Sequence, residues 1–336
     1  MRLQIEDWRQ NAAEHLPTSE IIYDVVYICS DFYDHRDSWS RSYFEKVAKR
    51  IVMIKYDPKD VKLQIDSREF KIIDLSHYKI PDGKILVDST SLSLPELIHL
   101  FDIFKENSRQ FDLIYVQPSE YQENDINKSS FNFDKLYDLS DDGLMMQQVP
   151  PFVGTISKAS ILVNLGFEGH RIGALINSDG FQIDQNSKFY CFIGVPAFKF
   201  GWEKEVISTN YEQLSKIKEK VEFYYSAAND PIKLYDLIDK IYCSETYQEK
   251  KLCLVPIGTK PSTIAFALFA INNRNTLLMY DFAKKKHSRS KGVEIIHFWE
   301  VQVVDDSQDS NRNQSVIEAS QQSVYLQSQH KLANEY

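Results

Sequence analysis

Cysteine is scarce in this 336-residue chain: four residues, at 29, 191, 243 and 253, with no CxxC pair and no paired histidine close by. That removes a zinc-ligand cluster and gives no disulfide framework. Cys29, Cys191 and Cys253 fall inside predicted strands, where cysteine behaves as a small hydrophobe. We therefore expect reduced, buried thiols and a cytoplasmic, soluble protein. No window approaches the roughly 18 apolar residues of a membrane span, and the leading MRLQIEDWRQNAAEHLPTSE has no apolar signal core. A basic balance is also missing. The formal net charge is −9, which disfavours a general nucleic-acid coat and leaves only local patches such as 284–291. HExxH, an EF-hand loop, a Walker P-loop and a GxSxG elbow are all absent, so no metalloprotease, calcium-sensor, P-loop or serine-hydrolase assignment is available.

What is present is an ordinary globular composition, 43% hydrophobic and 26% charged, in a length that suits one large or two medium domains. Residues 1–19 read as a short amphipathic lead-in helix. Strands are predicted at 21–29, 51–56, 61–65, 70–75, 84–88 and 111–117, with helices through Arg50 and over 95–107. Alternating strands and helices imply a mostly parallel sheet, hence an N-terminal α/β domain over 1–117. Residues 118–150 are polar, rich in Asn, Asp and Ser, and read as a connector or functional cover.

The second half, 151–303, has the clearer rhythm. Strands are predicted at 160–164, 189–195, 221–226, 252–257, 276–280 and 293–301, with helices near 168–178, 203–219, 231–245 and 262–273. The fold class is thus α/β, two Rossmann-like domains with mostly parallel sheets, the second doubly wound with six strands. Residues 304–336, rich in Gln, Ser and Asn, read as a poorly ordered tail.

The chain is organised around 252–270, LCLVPIGTKPSTIAFALFA, a buried strand, a turn and an amphipathic helix. Gly258 permits the turn, Thr259 can cap the helix and Pro261 suits its first turn. Free backbone N–H groups, the hydroxyls of Thr259 and Ser262 and the ammonium of Lys260 would then gather at a helix N-terminus, a site for an anion such as phosphate. An ordinary capped helix start is the competing reading.

In a doubly wound sheet, ligands collect at the carboxyl ends of the strands. There stand NLGFEGHR with Asn164, Gly166, Glu168, Gly169, His170 and Arg171, then Asn229, then the 258–262 turn, then the KKKHSRSKG run with Arg289. Gly166 and Gly169 equally suit a plain strand-to-helix turn, and 284–291 a solvated hairpin. In the first half, Asp31, Asp34 and Asp37 with His35 and Arg36 can bind a cation or act in acid–base chemistry, and Asp88-Ser89-Thr90 can add to that edge. Helix capping by Asp37 and Ser38 is the simpler reading, and no metal site or catalytic set is assigned.

A six-strand Rossmann-like domain with a glycine-bearing first loop and an Ile257-Gly258-Thr259-Lys260 turn after strand four resembles the CARF domains and the related SAVED domains. These are sensors of cyclic oligoadenylates in bacterial and archaeal antiviral defence. The family turn is commonly Gly-Gly-Thr-Lys, so one glycine is replaced here. The resemblance covers about 155–303. It implies nucleotide binding, with Thr259 and Lys260 on ligand phosphates and the 164–171 loop across the pocket, and a homodimer around a symmetric ligand. No resident cofactor is expected; the ligand would be a nucleotide or (cyclic) oligonucleotide, and a partner protein can receive the signal. Two other functions stay open: a nucleotide hydrolase or transferase working between the halves through Asp34, His35 or Glu168, and a non-catalytic subunit of a larger complex.

Overall fold

A computed structural model describes residues 1–16, 21–31, 35–123, 137, 139–140, 146–156, 159–178, 187–217 and 220–305. The expected tail beyond 305, much of the polar connector and Asp34 lie outside the described residues. The first strands and helices are β1 (Arg2–Ala12), β2 (Tyr23–Cys29), α1 (His35–Val47), β3 (Ala48–Asp57), β4 (Lys62–Ile65), β5 (Arg68–Lys71), β6 (Ile85–Asp88), α2 (Leu94–Glu106) and β7 (Phe111–Val116). Short β8 (Glu120–Tyr121) and β9 (Gln147–Gln148) follow, then β10 (Ser160–Asn164), α3 (Gly169–Ile176), β11 (Phe189–Gly194), α4 (Trp202–Ser215) and β12 (Val221–Ser226). The chain continues through α5 (Pro231–Tyr247), β13 (Leu252–Pro256), α6 (Lys260–Asn272), β14 (Leu277–Tyr280), β15 (Ser290–Lys291) and β16 (Ile295–Val304).

Two large sheets result. One has the order β1-β16-β7-β6-β2-β3-β4-β5, with a parallel centre from β7 to β3 and antiparallel flanks. The other has the order β12-β11-β10-β13-β14-β9, parallel from β12 to β14. A strand sends successive side chains to opposite faces, so a strand covered on both sides reads as an unbroken apolar run. In β10, Leu162 enters one core while Ile161 and Val163 enter another; Leu254 and Val255 of β13 divide likewise.

The core that receives Leu162 and Leu254 also receives Val25 and Tyr27 of β2 and the apolar faces of α2, α5 and α6. These helices form one layer between the sheets. Helix α1 covers the outer face of the first sheet, and α3 and α4 cover that of the second. The three strand cysteines are buried and free, burial pushing the Cys29 thiol up to about 11 and those of Cys191 and Cys253 to about 12. Among the described residues no helix is long and apolar enough to cross a membrane.

Three expectations need correction. Residues 1–19 do not begin with a helix: β1 pairs antiparallel with β16 along its length. A register shift between Ile5 and Asp7 breaks the alternation, so Leu3, Ile5 and Trp8 fall two and then three residues apart and mimic no clean strand period. Next, the second sheet does not take its sixth strand from 293–301. That segment is β16, inserted between β1 and β7 of the first sheet, while the edge beside β14 is filled by β9 from the connector. Ile296 and Phe298 face the α1 side and Trp299 and Val301 the shared core, so β16 is buried by both layers of the first sheet. Finally, α6 is not amphipathic. Every residue from Pro261 to Ile271 is buried, as an interior helix between two sheets requires.

Candidate functional site

The order β12-β11-β10-β13-β14 reverses between β10 and β13, which run parallel with Asn164 opposite Pro256. The loops after these two strands therefore meet at the carboxyl edge of the sheet, where a doubly wound fold places ligands. A cavity of about 140 Å³ opens there. Its lining draws on both halves of the chain: Arg36 from α1 and Tyr121 from β8, with Gly166, Arg171, Gly258, Thr259, Lys260, Lys285 and Arg289 among those from the second half.

The GTKPS turn is first of all a helix start. Thr259 is the N-cap of α6, its Oγ1 accepting from the Ser262 amide (3.4 Å), meeting Ser262 Oγ (2.8 Å) and reaching the Ala228 carbonyl (3.0 Å). The Thr259 amide donates to Asn164 Oδ1 (3.1 Å). Both hydroxyls, and the amides of Thr259 and Ser262, are thus engaged within the protein, which corrects the expectation that they stand free for an anion. Asn164 is likewise occupied in holding the turn, and a Cβ on Gly258 would stand 1.7 Å from its Oδ1. Gly169 belongs to packing: a Cβ there would stand 1.8 Å from the Thr209 carbonyl oxygen of α4. His170, Asn229 and Ser262 also stand outside the lining.

Arg171 lines the cavity but is committed. Its guanidinium grips Asp281 through Nε and through Nη2 (2.9 Å to Oδ1), and Nη1 donates to the Ile257 carbonyl (2.7 Å). Asp281 is wholly buried, and the pair joins the start of α3 to the loops after β13 and β14. Glu168 ties down the connector instead, its Oε1 accepting from the Leu139 amide (3.0 Å), the Ser140 amide (2.9 Å) and Ser140 Oγ (2.8 Å).

The charge in the site comes from elsewhere than the turn's hydroxyls. Five lining residues are basic (Arg36, Arg171, Lys260, Lys285, Arg289) and two are acidic (Glu168, Glu203), in a chain whose net charge is −9. Lys260 Nζ donates to the Leu92 carbonyl, and Lys285 Nζ to the Ser91 carbonyl (2.7 Å). Arg36 Nη1 donates to the Val116 carbonyl (3.3 Å). Burial, then the nearby positive charges of Lys285 and Arg289, holds the Lys260 ammonium well below the usual lysine range. Lys285 is lowered by burial and then by Arg289. Cations gathered against their own repulsion, in a cavity, are what a site built for an anion contains.

Of the first-half acidic cluster, Asp31 pairs with Lys55 (2.9 Å) and Asp37 is buried at the start of α1. Asp88 accepts from the Thr90 amide (2.9 Å), and burial raises its carboxyl, with Asp37 adding to the rise. Among the described residues no three His, Cys, Asp or Glu side chains gather as a metal site. Sequence reasoning does not single out Tyr121 and Trp202, which no motif marks, or Phe167, which stands within the NLGFEGHR loop, and it places Arg36 in a different site. Lys285 was inside the basic run that was read, but without a partner in view. No protein-family model matches this chain, and no curated protein is similar to it in sequence.

Proposed function

We propose that this chain is a nucleotide-sensing regulatory protein that holds a phosphate-bearing ligand in the cavity at the carboxyl edge of its second sheet. The observation that carries the reading is the convergence of Arg36, Lys260, Lys285 and Arg289 on one cavity of an acidic protein. Phosphates would lie against these four, with Arg171, fixed from behind by Asp281, as part of the wall. The resemblance to CARF and SAVED domains narrows the ligand to a nucleotide or cyclic oligonucleotide and the setting to antiviral defence.

The same geometry supplies a route for regulation. Lys260 and Lys285 of the second half hold carbonyls of Leu92 and Ser91, just ahead of α2 in the first half. A phosphate that prefers these ammoniums in another arrangement would shift the contact between the halves, as a ligand does when it favours one of two states.

The test is to incubate the full chain with mono-, di- and cyclic oligonucleotides, separate bound from free ligand, and analyse what was bound. A sensor retains its ligand unchanged, and Lys285→Met lowers retention by roughly tenfold, the scale of one charge-assisted contact. Ligand returned as products would replace the sensor by a nucleotide-processing enzyme. Retention of none would leave the cavity empty of this role and favour the complex-subunit reading.

A further inference from the structure

The cavity has a second, apolar side that an inorganic anion would not need. Tyr121, Phe167 and Trp202 line it from three separate segments: β8, the loop after β10, and the first turn of α4. Their rings contact one another, Tyr121–Trp202 at 5.2 Å, Phe167–Trp202 at 5.5 Å and Tyr121–Phe167 at 5.6 Å between centroids. Tyr137 backs the group, 4.5 Å from Phe167, and is itself buried. The three front rings are only half-buried, so each keeps surface open. Four aromatic rings gathered merely to close the fold would be covered; here three of them share a cavity with the cationic cluster.

Building on the phosphate-binding reading above, we infer that Tyr121, Phe167 and Trp202 form a base subsite, so that the ligand is a nucleotide recognised at both ends: its aromatic base on these rings and its phosphates on Lys260, Lys285, Arg289 and Arg36. Aromatic rings beside a positive groove are the usual means of binding single nucleotides and single strands, because every base has a π-face. The rings are mutually tilted, 46° between Tyr121 and Trp202 and 88° between Phe167 and Trp202, and the Lys199 ammonium lies over the Trp202 ring at 5.8 Å, so a base would enter on the side that faces the cavity.

The experiment is calorimetric titration of the full chain with inorganic tripolyphosphate and, separately, ATP, GTP, CTP and UTP. The expected result is that at least one nucleoside triphosphate binds roughly 5- to 100-fold more tightly than tripolyphosphate, the range of one base stacked on aromatic side chains. Trp202→Leu and Phe167→Leu should each bring that ratio close to one, while the tripolyphosphate affinity stays within about twofold, which shows that fold and cationic cluster remain intact. A wild-type ratio near one, or a ratio that survives both substitutions, overturns the base subsite and leaves the anion site standing. No binding of any of the five withdraws the anion site, and the base subsite with it.

Discussion

Replacing Asp281 by alanine is expected to destabilise the fold by about 3–5 kcal/mol, measured as a fall in the denaturant midpoint. The carboxylate is wholly buried and answers two nitrogens of Arg171, which itself holds the Ile257 carbonyl. Without it the guanidinium loses its paired carboxylate, keeping only the more distant charge of Glu168, and the start of α3 and the loops after β13 and β14 lose their common tie. The double variant Arg171→Met, Asp281→Leu should lose less than Asp281→Ala alone, because an apolar pair removes both charges together. A single variant within 1 kcal/mol of wild type would show that the pair is not the tie described.

The second large effect is loss of stability in acid. His99 and His297 are fully buried, and burial holds their imidazoles down at about 3 and about 4. His99 stacks on Tyr56, and neither of its ring nitrogens has a hydrogen-bond partner among the described residues; His297 lies between Trp8, Trp299 and Tyr115 and meets Gln117 Oε1 through Nε2. Their folded pKa values are depressed below the ordinary 6.5, so the unfolded chain takes up protons that the native state refuses. Stability from these groups is complete above pH 6.5 and falls as pH drops toward 4 and 3, on the order of 3 kcal/mol from each by pH 4. Unfolding followed from pH 7.5 to 4.5 should show this slope, and His99→Leu or His297→Phe should flatten it. A slope unchanged in both variants would assign acid sensitivity to other groups.

Much of the second sheet was legible because its strands are buried on both faces. Apolar runs such as 160–164, 189–194 and 252–256, separated by whole helices, admit little but a parallel α/β arrangement. The same pattern misleads at 293–301, where a strand buried at its centre belongs to the other sheet: local sequence records burial, not which neighbour provides it. One bulge hides the first strand, and α6, expected to be amphipathic, is buried from Pro261 to Ile271 because it lies between the two sheets.

At the site, Gly166 and Gly258 line the cavity, while Gly169 packs against α4 and Asn164 holds the turn; a turn that binds and a turn that merely packs demand the same small residues, so the sequence does not separate them. Arg171 was visible as a charge, but its partner Asp281 lies 110 residues on. The aromatic side was illegible for the same reason: Tyr121, Phe167 and Trp202 meet only when β8, the loop after β10 and α4 have folded together.

Lys260 offers the most direct measurement of the central claim. Its ammonium is held among Lys285, Arg289 and Arg36 and donates to the Leu92 carbonyl, so Lys260→Met removes a repulsion and a hydrogen bond together, and the two proteins are first compared without ligand. Thermal unfolding of both proteins against mono-, di- and cyclic oligonucleotides then decides. For wild type the account predicts a midpoint that rises with ligand, by about 2.7 kcal/mol of stability at a hundredfold excess over Kd. Lys260→Met should show roughly half that rise, about 1.4 kcal/mol at the same ligand concentration, as a tenfold weaker Kd requires. A wild type that no nucleotide stabilises, or a Lys260→Met protein stabilised as much as wild type, would contradict the phosphate site at this cavity.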